Sequence, residues 1–221
     1  MDVYFFLKQR TELVRHFYDT ASAPFMEVKH RIETGNEPYH VAPYDDSGEP
    51  PYAAEWMQAD DGHELVGRAA VSMLSEALKQ FLVTWERKSW TNPPCYKCFK
   101  KAFEGGFITG YVACFSAGFT IDWSKCPADL EVLQQVVLAR NSAQHQDLVL
   151  DYLSHNASTL SQFPKPFFVR PDEEGPEYDG SSFLSPTIHI SRKKLFQAVE
   201  DVEQLCSWLQ GVIEAQGRPN R

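Results

Sequence analysis

Apolar residues return every three or four positions along most of this chain, which is the spacing of helices that each bury one face. Residues 2–34 show it first, with Phe6, Leu13, Phe17 and Val28 set among charged neighbours. Pro24 falls inside that run and is expected to kink or interrupt the helix, because it offers no amide hydrogen and its ring crowds the preceding turn. A stronger pattern spans about His63 to Arg87, where Val66, Ala70, Met73, Ala77, Phe81 and Trp85 make one face. A third long helix is expected from Pro127 to about Leu153. Proline suits its first turn, and Asp129 and Glu131 suit the positive end of its dipole. Ser191 then caps a last helix, with Leu195, Val199, Val202, Cys206, Leu209 and Ile213 as its apolar stripe.

The stretches between these helices are irregular in different ways. Asn36 to Pro51 is acidic and holds four prolines, so it reads as an exposed connector, long enough to flag function or mobility. Trp90 to Cys126 is rich in phenylalanine and broken by glycines at 105, 106, 110 and 118, as in a short helix and loop laid on the core. Pro164 to Ile190 is a second long loop, with a β-prone segment at Thr187–Ile190. The expected fold is therefore all-α, a helical bundle of four to five main helices with two long Pro-rich loops. Residues 1–62 read as an N-terminal helix and acidic connector packed on a helical domain at 63–217.

Composition narrows the functional classes. With 221 residues, 43% hydrophobic and 23% charged, the chain can build one substantial core. No run of about 18 apolar residues occurs, so no membrane-spanning helix is expected. The absence of a basic leader points to a cytoplasmic protein. A net charge of −9 argues against a protein that coats nucleic acid without specificity, but leaves room for one local basic site. Arg87, Lys88, Lys97, Lys100 and Lys101 form the densest positive patch and are the candidate RNA-guiding residues, weighed against a plain solvated face. Five cysteines, an odd number, point to mostly reduced thiols.

Several motifs fail on their chemistry. Cys95–x2–Cys98 invites zinc, with Cys114 and Cys126 as further ligands, but a second closely spaced ligand pair is missing, so free thiols are the default reading. His63–Glu64 opens like a zinc-protease helix, yet Gly67 stands where the second histidine belongs. The glycines at 105, 106 and 110 lack the lysine and hydroxyl residue that end a phosphate loop. His16, His30, His40, His155 and His189 stand isolated and read as surface or packing residues. No metal and no cofactor is expected.

One polar cluster remains. Within Glu131–Leu153, between the apolar anchors Val136–Leu138 and Leu148–Leu150, stand Arg140, Asn141 and His145. At about 100° per residue, Asn141 and His145 lie about 40° apart on a helix, with Arg140 about 140° from His145 but long enough to swing round. The sequence ARNSAQH resembles the signature of the HEPN superfamily: an arginine, a polar residue that is often asparagine, a few more residues, then histidine. The resemblance covers roughly Glu64 to Gln216 in helix order.

What it implies is a metal-independent endoribonuclease, commonly found in toxin–antitoxin, phage-defence and RNA-processing systems and commonly dimeric. Its catalytic residues would be Arg140, Asn141 and His145, and its partners an RNA substrate, a second copy, and an antitoxin or operon protein. Toxin members controlled by nucleotidylation often carry a tyrosine soon after the histidine. Here Gln146, Asp147 and Leu148 follow instead, which puts that control in doubt. The alternatives are a non-catalytic interaction or scaffold protein of the same fold, and a zinc-stabilised protein using Cys95 and Cys98.

Overall fold

The computed structural model describes residues 2–42, 48–90, 95–144, 154–173 and 185–217. Among them the architecture is all-α. In chain order the helices are α1 (Val3–Thr34), α2 (Ala53–Ser89), the short α3 (Cys95–Cys98) and α4 (Lys100–Glu104), α5 (Phe107–Gly118), α6 (Leu130–Gln144), α7 (Ala157–Gln162) and α8 (Arg192–Gln216). Extended pairing among the described residues is limited to two isolated antiparallel bridges, Ser154 with Thr187 and Val169 with Ile188.

α1 is antiparallel to both α2 and α8. Lys29 reaches Asp60 at 2.6 Å, while Tyr18 reaches His63 at 3.1 Å. On the other side Lys8 and Arg15 both meet Glu203, and Arg192 meets Asp19. The face of α1 that does this differs from the one expected. Val3, Leu7, Thr11, Val14, Tyr18 and Ser22 are buried, whereas Phe6 and Leu13 are 48% and 55% exposed. The two stripes lie about 110° apart round the helix. Counting apolar residues picked the wrong stripe because two polar residues sit in the right one. The Thr11 hydroxyl donates to Glu203 Oε1 at 2.6 Å, and the Ser22 hydroxyl to the Tyr18 carbonyl at 2.6 Å, so burial leaves neither unsatisfied.

Pro24 does not interrupt α1, which continues to a Gly35 cap at φ 65°. One lost helical hydrogen bond is outweighed by packing against α2 on this turn, where Phe25 lies over Gly62. α2 begins at Ala53, ten residues before the expected start, because Trp56 and Asp60 find partners on α1 in Glu33 and Lys29. Its centre is the core of the molecule: Ala70, Leu74, Leu78 and Phe81 are almost wholly enclosed. α6 and α8 close that core with Leu133, Val136, Leu195, Val199, Val202, Cys206 and Leu209. Every residue of the expected α8 stripe is buried, and Ser191 caps that helix as its sequence predicts, accepting from the Lys194 amide.

α6 starts at Leu130 rather than in the turn of Pro127. Asp129 is its cap, accepting from the Glu131 and Val132 amides at 2.8 and 3.2 Å. The expected continuation from His145 to Leu153 lies outside the described residues. α7, capped by Asn156, has too short an apolar pattern to be expected from sequence.

Candidate functional site

Arg140 and Asn141 stand in the C-terminal half of α6, half-buried. Arg140 Nη1 donates to Asn141 Oδ1 at 3.1 Å. Adjacent helical residues do not normally face each other; the long arginine curls back to make this contact, bringing the guanidinium to the asparagine side. His145, the third member of the sequence motif, lies outside the described residues.

The two residues border a groove of about 440 Å³. Its walls come from three places: Ser75, Glu76 and Lys79 on α2, the Phe103–Phe107 turn joining α4 to α5, and Ser158 and Gln162 on α7. Gln134, one turn and a half before Arg140, holds the α4–α5 wall in place. Its Oε1 accepts the Ile108 amide at 2.9 Å. Gly106 makes that approach possible. It sits at φ 144°, and a Cβ there would come 2.8 Å from Gln134 Oε1. Gln135 does the same service for the next segment, accepting the Phe167 amide at 2.6 Å.

The groove carries both signs of charge, with Lys79 and Arg140 against Glu76 and Glu104. Lys79 was not a candidate on sequence, since a lysine on an amphipathic helix has no distinguishing spacing. The sequence-chosen basic residues are placed elsewhere: Arg87 and Lys88 at the end of α2, Lys97 on α3, Lys100 and Lys101 on α4, all exposed. None is among the residues lining the groove. Lys88 lies over the Trp85 ring at 4.2 Å, and Lys100 faces Glu104 at 3.9 Å.

A second polar cluster lies where α1, α2 and the 168–190 segment meet. Glu64 accepts from His189 Nδ1 at 2.7 Å and from Arg170 Nη2 at 3.3 Å, and Asp60 takes Lys29 at 2.6 Å. Burial would raise the Glu64 carboxyl, but the His189 hydrogen bond and the charges of His189 and Arg170 hold it below its usual value. Burial lowers His63. His189 is thus not isolated, and the second histidine that the local spacing denied to His63–Glu64 arrives from the far end of the chain. Gly67 lets it in, since a Cβ there would meet Ile190 Cβ at 2.9 Å.

Cys95 does not pair with Cys98; it forms a disulfide with Cys114. The expectation of mostly reduced thiols therefore fails for two of the five cysteines, and Cys98, Cys126 and Cys206 are free. The spacing hid this because Cys114 comes from α5, which folds back over α3. Among the described residues no group of three His, Cys, Asp or Glu side chains is arranged to hold a metal ion, and no helix is long and apolar enough to cross a membrane. Compared with protein families, curated proteins and solved structures, the chain gives no match in any of the three.

Proposed function

We propose that this chain is a HEPN-like endoribonuclease that works without a metal, as a cytoplasmic homodimer. The observation that supports the reading is the Arg140–Asn141 contact at the rim of a groove, with His145 following four residues after Asn141 in the sequence. RNA carries its own nucleophile in the 2′-hydroxyl, so such an enzyme need only move protons and steady charge. His145 is the general base or acid, as a side chain whose ordinary titration lies near neutrality. Arg140, always cationic and fork-shaped, meets the charge growing on the phosphate, with Asn141 fixing its direction. A second copy supplies the second histidine, so one acts as base and the other as acid.

Cleavage of RNA in EDTA by the wild type, Arg140→Ala and His145→Ala tests it. Activity in the wild type and its loss in both variants is the expected result; equal cleavage by all three, or a strict metal requirement, overturns it.

A second reading is a non-catalytic helical module that docks an antitoxin, operon partner or scaffold. What favours it is the outer stripe of α1, where Phe5, Phe6 and Leu13 are each about half exposed. A stable hetero-complex by gel filtration and pull-down, with no RNA cleavage, would decide for the module.

A further inference from the structure

Three of the five cysteines gather at one place. The Cys95–Cys114 disulfide joins α3 to α5 across 19 residues, with Cα atoms 5.7 Å apart. Both partners are buried, at 4% and 1% exposure, so a thiol in solution has little access to either residue. Around them Glu86 ties the elements together, accepting the Cys95 amide at 2.7 Å and the Tyr111 hydroxyl at 2.9 Å.

Cys98 closes the same helical turn and is free and exposed. Residues three apart on a helix hold their Cβ atoms about 5–6 Å apart. A disulfide needs roughly 3.5–4.5 Å, so a small movement of this four-residue helix brings Cys98 to Cys95. The remaining thiols are poorly suited to the task. Burial raises Cys126 and raises Cys206 well above its usual value, and Cys206 is fully enclosed. Lys97, Lys100 and Lys101 give the surface beside Cys98 a positive field that draws in anionic small thiols.

We propose that Cys98 is the entry thiol of a Cys95–Cys98–Cys114 exchange site for small anionic thiols and disulfides of the glutathione type. In the internal step the Cys98 thiolate attacks the Cys95 sulfur. The Cys95–Cys98 bond forms as the Cys95–Cys114 bond breaks, and Cys114 leaves as a thiolate that takes up the proton Cys98 gave to solvent. Nothing is oxidised or reduced overall. The disulfide is now at the surface. One small thiol attacks Cys98 and Cys95 leaves; a second small thiol then releases the small disulfide, so two thiols supply the two electrons. The exchange removes the covalent link between α3 and α5, which Glu86 still bridges through the Cys95 amide and the Tyr111 hydroxyl. The proposal stands independently of the ribonuclease reading.

The test is the rate at which glutathione reduces the folded protein, followed by alkylation and peptide mapping. Cys98→Ser, at an exposed position, should lose the Cys95–Cys114 bond roughly tenfold more slowly than the wild type, because a tethered thiol acts at high effective concentration. Both proteins should reduce at the same rate in urea. In Cys114→Ser, glutathione disulfide should produce the Cys95–Cys98 bond. Equal folded-state rates with and without Cys98, or purification of a protein lacking the Cys95–Cys114 bond, would overturn the proposal.

Discussion

His189 Nδ1 lies 2.7 Å from Glu64 Oε1, across 125 positions of sequence. The contact fastens the segment before α8 to the middle of α2, with Arg170 on the same carboxylate. Replacing Glu64 with Gln should destabilise the protein by about 1–3 kcal/mol, the usual cost of weakening a largely buried charged hydrogen bond. A double-mutant cycle with His189→Gln in urea melts should show coupling. Additive effects would mean the two residues are only neighbours.

The pH dependence has a definite sign. Glu64 and Glu203 are both held below the ordinary carboxylate value of 4.5. Burial opposes this in each, and is outweighed by His189 and Arg170 in one and by Arg15, Thr11 and Lys8 in the other. Their stabilisation is therefore full above 4.5 and is lost as pH falls through the lower folded values. His63 and His155 are lowered from 6.5 by burial, so the unfolded chain binds protons first and stability already declines below 6.5. Urea midpoints measured from neutral to acid pH should fall in these two stages. His155→Gln should flatten the upper one; an unchanged profile would remove His155 from the account.

Two tyrosines shape the alkaline side. Burial and the Glu86 hydrogen bond raise the Tyr111 hydroxyl. Burial pushes the Tyr18 hydroxyl up to about 12 from 10.0, with Glu64 and Asp19 adding to the effect. The folded state keeps the proton that the unfolded chain gives up, so stability falls as pH rises above 10. Tyr18→Phe should show a shallower alkaline decline, read by far-UV circular dichroism of thermal melts.

Gly106→Ala should be costly although glycine usually favours the unfolded chain. The φ of 144° and the 2.8 Å approach to Gln134 Oε1 both penalise a side chain, by about 1–3 kcal/mol together. Gly211→Ala, in α8 with open space around it, should be neutral or stabilising by comparison. Thermal melts of the two variants give the contrast directly.

On the ribonuclease reading proposed above, Arg140→Lys should behave like Arg140→Ala in an RNA-cleavage assay, losing about a hundredfold or more. A lysine keeps the charge but not the forked hydrogen bonding. Full activity in the lysine variant would show that only charge is needed there.

The amphipathic stripe of α8 was legible residue by residue and that of α2 in all but Met73, because a helix that buries one apolar face must repeat that face every turn. The Ser191 cap was equally readable, since it follows from local backbone chemistry. The contiguous Arg140–Asn141 pair was visible for the same reason. Periodicity failed where burial is polar. Thr11 and Ser22 lie in the core stripe of α1, and the partners that make this tolerable, Glu203 and the Tyr18 carbonyl, are invisible to a hydrophobicity count. Only the tertiary structure decided that Lys79 joins Arg140, that Cys95 meets Cys114, and that His189 reaches Glu64. Each depends on how helices far apart in sequence come to lie side by side. Apolar periodicity specifies which face a helix offers where that face is itself apolar; which element fills it depends on the packing of the whole chain, on glycines such as Gly67 and Gly106 that admit a close neighbour, and on the polar groups buried between them.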